Sequence, residues 1–153
     1  MATWYVKHFD ELTVDQLYDI LKLRVDVFVV EQRCYYPDID DLDRDAQTKH
    51  LFYYIDGKIA AYLRVLAMGT TYADCISLGR IVVAPEFRGR GVGNQLLQEG
   101  LKICLQQFKG QPLKISAQQH LEKFYTAHHF MTVSDCYLED NIPHIAMLYQ
   151  QVK

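Results

Sequence analysis

The sequence predicts an α/β fold built on a sheet of mixed strand direction, and three observations predict it. Residues 76–84 form an apolar run of strand length that stops at Pro85, which cannot donate to a ladder. A short turn with three glycines and two arginines follows, and then a helical pattern begins. After that helix Leu113, Ile115 and Ala117 alternate as a second strand, which a crossover helix makes parallel to the first. The chain of 153 residues, 50% of them hydrophobic, fits one domain (1–153) around one core.

The chain opens with a short aromatic-rich strand, residues 3–9. Thr13 caps the next helix, with Gln16 three residues on as its capping-box partner. Leu17, Ile20, Leu21, Val25 and Phe28 keep helical spacing, so this helix runs to about Val30. Its polar face is mixed in sign, which suits packing on a core better than lying on a membrane. From 31 to 47 the pattern is lost and acids gather: Asp38, Asp40, Asp41, Asp43 and Asp45, with only Arg44 to offset them. A calcium loop starting at Asp41 would put Ala46 where the sharp turn needs glycine and Phe52 where it needs a bidentate glutamate, so that reading is rejected. Two readings stay open, a solvated charged loop and an anionic rim that attracts a cationic substrate. Residues 51–55 and 59–65 are strands joined at Asp56-Gly57, a strong hairpin signal, and 69–74 is a loop. In the helix after the glycine-rich turn, Leu97, Leu101, Cys104, Leu105 and Phe108 share one face, and the helix ends near Gly110 and Pro112. A helix at 119–128 and strands at 130–137 and 145–151 close the chain.

Composition argues against several functions. Net charge is −3, and no lysine–arginine cluster lies outside the Arg88–Arg90 turn, so nucleic acid is not an expected partner. No apolar run approaches the roughly 20 residues that span a bilayer, so no membrane partner is expected either. Met1-Ala2-Thr3-Trp4 lacks a signal peptide's basic and apolar regions, and the expected location is the cytoplasm. There Cys34, Cys75, Cys104 and Cys136, which form no Cys-x-x-Cys, stay free, and Cys104 falls on the core face of its helix. No metal is expected, since His128 and His129 are helix neighbours that do not face one another. No Gly-x-Ser-x-Gly elbow supports serine hydrolysis.

Strand, glycine-rich turn, helix is an order that binds phosphate. The helix start presents free N–H groups and the positive end of its dipole, and glycine lets the backbone come close. A Walker A loop needs Gly-Lys followed by Ser or Thr, which is absent. The dinucleotide fingerprint needs Gly-x-Gly-x-x-Gly after the first strand of a βαβ unit, whereas Gly89-x-Gly91-x-Gly93 has roughly half the protein before it. A third loop, Arg/Gln-x-x-Gly-x-Gly/Ala, is met by Arg88, Gly91 and Gly93. On these residues, with the strand before and the helix after, the chain resembles the GNAT N-acetyltransferases. Phe124-Tyr125-Thr126-Ala127-His128-His129-Phe130 is similar to that family's Phe-Tyr-x-x-x-Gly-Phe, with His129 in place of glycine. Histidine tolerates the left-handed conformation of a helix C-terminus better than most residues. A narrower resemblance, to the ElaA-like branch, rests on four segments: Phe28-Val29-Val30-Glu31-Gln32, Tyr36-Pro37-Asp38-Ile39-Asp40-Asp41, Gly79-Arg80-Ile81-Val82-Val83 and Glu139-Asp140-Asn141-Ile142-Pro143-His144-Ile145.

The resemblance implies a mixed, mostly antiparallel sheet with a central parallel strand pair and flanking helices. It implies acetyl-CoA as co-substrate, its pyrophosphate gripped by Arg88, Gly89, Arg90, Gly91, Val92, Gly93 and Asn94. Free backbone N–H groups around Ile81, Val82 and Val83 would meet the thioester carbonyl and the pantetheine arm. The implied reaction is acetyl transfer to a primary amine by direct attack. An alkyl amine of pKa near 10 is neutral in on the order of one molecule in a thousand at pH 7, so a base must take its proton. The departing thiolate resembles cysteine, with pKa about 8.5, and a nearby phenol can protonate it. Tyr125 holds the family's position for that general acid. Glu31, ending the first helix, and His144, after Pro143, are the candidate bases, and His50 stands beside them. Glu31 is equally placed to pair with Arg24 or Arg80. The expected acceptor is a small-molecule or peptide amine, and a homodimer is compatible with the sequence. A CoA-binding sensor or interaction module of the same fold is the alternative reading.

Overall fold

The computed structural model describes residues 1–151. Strands β1 (Ala2–Lys7), β2 (Lys49–Ile55), β3 (Lys58–Leu66) and β4 (Ser77–Val83) form one antiparallel sheet in chain order. The β2–β3 hairpin turns at Asp56 and Gly57, whose φ of 49° and 79° match the right-handed twist of the flanking strands. A second antiparallel sheet holds β5 (Lys114–Gln118), β8 (Ile142–Tyr149) and β6 (Phe130–Thr132) in that order, with β7 (Tyr137–Glu139) also paired to β8. The strand expected at 130–137 is therefore two short ones, because the chain between them leaves the ladder. There Ser134 accepts the Ala146 N–H through its hydroxyl at 2.9 Å, as serine does in turns. The last strand starts at Ile142, earlier than expected, because it pairs with β7 as well as with β5 and β6.

The two sheets meet at one parallel bridge, between Ile76 and Leu113. Ile76 donates to Pro112 O at 2.9 Å and accepts from Lys114 N–H at 3.0 Å. Among the described residues the expected parallel pair is this bridge alone, and no ladder continues beyond it. Strand β4 carries the reason. Its pairing with β3 runs Tyr62 with Val82 and Arg64 with Gly79, so one extra residue is inserted on β4. Arg80, inside the insertion, has φ of 53°. Such a bulge bends and twists the strand that carries it, and β4 and β5 open from the bridge as a V.

Helices fix this opening. Helix α1 (Val14–Arg24) begins at Thr13, whose side chain accepts from Gln16 N–H while Gln16 returns the bond, so the expected capping box is formed. From Val25 to Glu31 the helix widens to π geometry, with Gln32 N–H to Val27 O at 3.1 Å and Cys34 N–H to Val29 O at 3.2 Å. The buried stripe is Ile20, Leu23, Arg24 and Val27, itself at regular helical spacing, whereas Leu17, Leu21, Val25 and Phe28 of the expected stripe are only partly buried. Helix α2 (Val92–Gln107) packs on the first sheet through Leu96, Leu97, Leu101 and Cys104, and Gly100 lets it approach Leu63 of β3. Leu105, expected on that face, is 42% exposed, whereas Ile103 is buried. The segment 119–128 holds a single 3-10 turn and then α3 (Glu122–Thr126), ending at His129 with φ of 71°. A histidine does stand in the left-handed position where glycine is usual.

Candidate active site

A cavity of about 340 Å³ fills the opening between β4 and β5. Gly79, Arg80 and Ile81 line one wall, and Ile115, Ser116 and Gln118 line the other. The π-helix adds Phe28, and Tyr125 comes from α3. Tyr125 is 5% exposed, and its ring is held edge-on by Phe124 and Phe130 at centroid distances of 5.1 and 5.8 Å. Among the described residues its hydroxyl has no hydrogen-bond partner. Burial pushes the phenol well above its ordinary value, so it stays protonated across the physiological range.

Beside this cavity lies the glycine-rich turn. Gly91 caps α2 in the left-handed conformation, φ 77°, and Gly89 adopts φ 78°. The first intrahelical bond is Gln95 N–H to Gly91 O at 3.2 Å, so the N–H groups of Val92, Gly93 and Asn94 have no helical acceptor. A Cβ at Gly89 or Gly91 would meet no protein atom within 4 Å. The space above the turn is therefore open to a ligand, and a diphosphate fits a helix start of this kind. Gly93 packs near Val83 and Phe124, which ties the turn to the end of β4 and to the helix that carries Tyr125. Asn94 accepts from His128 Nε2 at 2.8 Å, adding a second tie to the turn that follows α3. Ile81 lines the cavity, Val82 is buried in the ladder to Tyr62, and Val83 ends the strand.

The two arginines of the turn are engaged by protein. Arg88 donates through Nε to Val83 O at 3.2 Å and through both terminal nitrogens to Glu31 at 3.0 and 2.8 Å. The Arg90 guanidinium lies over the Phe87 ring at 5.6 Å. Glu31 accordingly lies outside the cavity lining, paired with Arg88 where the sequence suggested Arg24 or Arg80. That hydrogen bond holds its carboxyl below the usual range, the reverse of what a base at neutral pH requires. His50 is likewise elsewhere. It is buried between the Tyr62 hydroxyl at 2.7 Å and Asp43 O at 3.0 Å, and burial lowers its affinity for a proton. His144 does line the cavity. Its Nδ1 lies 2.7 Å from Ile142 O, a carbonyl that can only accept, so the proton sits on Nδ1 and the neutral ring keeps a lone pair on Nε2.

Part of the acidic stretch turns inward, while Asp41 and Asp45 stay exposed. Asp38 and Asp43 are 4% and 3% exposed, and three arginines meet them. Arg24 binds Asp38 at 2.9 Å and Asp43 at 2.7 Å, and Arg64 binds Asp43 at 2.9 Å and Asp40 at 2.6 Å. Arg80 lies 2.9 Å from Asp38 Oδ1, without the alignment of a hydrogen bond through Nε, and donates to Asp38 O at 3.1 Å. Burial opposes the Arg24 charge, and the Asp43 hydrogen bond with its neighbours outweighs it, so the guanidinium stays charged. Three arginines balance three aspartates here, Asp38, Asp40 and Asp43. The network also forms part of the cavity wall through Arg64, Arg80 and Asp40. A signal for it was present. Arg24 lies on the apolar stripe of α1, four residues from both Ile20 and Phe28, and Arg64 interrupts the apolar run of β3. A charge in such a place needs a buried partner.

Two sheets that part at one bridge, with a helix start beside the opening, make up the architecture of the acyltransferases that draw on acyl-CoA. The chain belongs to the GNAT family: the profile of the acetyltransferase (GNAT) domain matches residues 18–150. It is 37% identical to protein ElaA of Escherichia coli K12 over 153 residues, covering 100% of this chain and 99% of that protein. The crystal structure of Escherichia coli ElaA superposes with a TM-score of 0.91 over 98% of this chain and all of the other (100%). The structure of an acyl-CoA N-acyltransferase from Pseudomonas aeruginosa, 39% identical, superposes with a TM-score of 0.92 over 98% of this chain and 100% of that one.

Proposed function

We propose that this chain is an N-acetyltransferase that moves an acetyl group from acetyl-CoA to a primary amine by direct attack. The observation that carries the reading is Tyr125, which lines the cavity between β4 and β5 and whose hydroxyl makes no hydrogen bond among the described residues. A phenol in such a place has a donor to spare for an incoming group. The helix start at 91–94 holds the diphosphate on free N–H groups, and the edge of β4 at 81–83 aligns the pantetheine arm and the thioester carbonyl. His144 takes the proton of the amine at Nε2. The neutral amine attacks the carbonyl carbon, the C–S bond breaks, Tyr125 gives its proton to the departing sulfur, and the second proton shed by the nitrogen restores the Tyr125 phenol. Balanced over a turnover, an ammonium and a thioester become an amide and a thiol, and one proton goes to solvent. Glu31 serves a different purpose in this reading: it holds Arg88 against the end of β4.

The acceptor is a small-molecule or peptide amine. The test is release of free CoA from acetyl-CoA across a panel of alkyl, aryl and peptide amines, read with a thiol reagent. Amine-dependent release supports the proposal. Tight acetyl-CoA binding with no release above background on any amine assigns the chain to the sensor reading instead.

A further inference from the structure

We infer that His128 is an electrostatic partner of the CoA diphosphate, taking up a proton as the anion arrives, so that protonation of this ring strengthens acetyl-CoA binding. The inference rests on the proposed seating of the diphosphate at the start of α2. One residue joins the two places. The Asn94 N–H is among the three at that start without a helical acceptor, and the Asn94 side chain accepts from His128 Nε2 at 2.8 Å. An anion on the helix start and the imidazole are then each one contact from Asn94. Packing holds the ring there as well. Its centroid lies 5.3 Å from that of Phe124, and Phe124 in turn packs near Gly93.

The proton has a defined place to go. The Asn94 carbonyl oxygen only accepts, so the neutral ring carries its proton on Nε2 and keeps a lone pair on Nδ1. Nδ1 has no hydrogen-bond partner among the described residues. A second proton enters there without breaking a contact, and the bond to Asn94 becomes charge-assisted. Burial, and then the charge of His129, lower the ring's affinity for a proton from the ordinary value of 6.5, so the ring alone is neutral at pH 7. A diphosphate brings two negative charges beside it and opposes both effects.

The other charges at the turn leave room for this one. Arg88 is committed to Glu31, whose carboxylate offsets its charge. Arg90, over the Phe87 ring, supplies one positive charge, and the helix start supplies about half of another. A protonated His128 brings that sum level with a diphosphate. Around the ring itself α2 presents the neutral Asn94 and α3 presents Phe124, while His129, next in the chain, is exposed. The carboxylates of those helices are engaged elsewhere, Glu122 with the Thr132 hydroxyl and Glu99 with Lys102. His129 is the one charged group that weighs on the titration of His128.

The experiment is isothermal calorimetry of acetyl-CoA on the full chain, in wild type and His128→Gln, between about pH 5.5 and about pH 8 to bracket an imidazole. Two buffers of different ionisation enthalpy read the protons taken up. Glutamine keeps a donor for Asn94 Oδ1 and does not titrate. A group whose value is raised by binding strengthens binding below its free value, and the gain is lost as pH rises through the bound value. Two negative charges across one residue raise the ring by about half a unit to one unit. Wild type is therefore expected to gain about three- to tenfold in affinity over His128→Gln as pH falls across that range, and to take up about 0.3–0.5 proton more at the midpoint. The same gain is expected with 3′-dephospho-CoA, whose diphosphate is intact. An affinity ratio that is constant with pH, with equal proton uptake, overturns the inference, and so does a gain that vanishes with the dephospho ligand. A wild type that binds acetyl-CoA at no pH overturns the seating of the diphosphate itself. NMR titration of the wild-type imidazoles, with and without acetyl-CoA, needs no variant. The His128 midpoint is expected to rise on binding, and a midpoint that stays in place overturns the inference.

Discussion

Replacing Tyr125 by phenylalanine removes one oxygen atom and nothing else from the cleft. The structure sets the size of both consequences. The ring keeps its edge contacts to Phe124 and Phe130, and the hydroxyl leaves no partner behind among the described residues. No buried hydrogen bond is broken, so folding stability is expected to stay within about 1 kcal/mol of wild type. Catalysis has no such insulation. A positioned general acid contributes about 10²–10⁴-fold, or roughly 3–5 kcal/mol of barrier, when the leaving group must depart as a thiolate into a dry cavity. The loss belongs in kcat, with KM for acetyl-CoA unchanged, because the phenol acts on the sulfur only as it leaves. Steady-state thiol release together with urea unfolding separates the two effects. A variant with kcat within about threefold of wild type, and unaltered stability, would refute the assignment of Tyr125.

The buried ion network yields two more outcomes. Arg24→Met strands Asp38 and Asp43 without their principal partner, and urea unfolding is expected to lose about 3–5 kcal/mol; a loss under about 1 kcal/mol would contradict the network's role. The same carboxyls predict an acid transition. Burial alone would raise Asp40 and Asp43, but the Arg64 and Arg24 guanidiniums outweigh it and hold both below the ordinary value of 3.8. Groups with lowered folded values contribute fully above the unfolded value and lose that contribution as pH falls through the folded one. Stability is therefore expected to be flat with respect to these groups above pH 5 and to fall below about pH 4. Thermal melts that show no added acid sensitivity relative to an Asp40→Asn variant would count against it.

Much of the fold was legible because it depends on local signals. Pro85 ended a strand, Asp56-Gly57 made a hairpin, Thr13 with Gln16 started a helix, and three glycines marked the turn, each acting over a few residues. The parts that were not legible depend on long-range geometry. The residues from Val25 to Glu31 form a π-helix, and a periodic pattern does not distinguish it from a regular helix. The bulge at Arg80 reduces a parallel pair to one bridge, yet Arg80 reads as an ordinary strand residue. The acidic stretch misled because charge on a sequence reads as surface, whereas Asp38 and Asp43 find Arg24 and Arg64 from distant segments. Of the three catalytic candidates, Tyr125 and His144 line one cavity and Glu31 does not. The contact of His128 with Asn94 escaped notice because the turn after α3 must pack on the start of α2 before their side chains meet.

The central claim is that the start of α2 binds the diphosphate of CoA, and isothermal calorimetry of acetyl-CoA on Gly91→Val measures it most directly. The φ of 77° at Gly91 strains any side chain, by about 1–2 kcal/mol, while a Cβ there meets no protein atom within 4 Å. The variant is therefore expected to fold, shown by an unchanged circular dichroism spectrum, and to lose at least about 100-fold in affinity as the new side chain fills the anion's place. A folded Gly91→Val protein that binds acetyl-CoA as tightly as wild type would contradict the account.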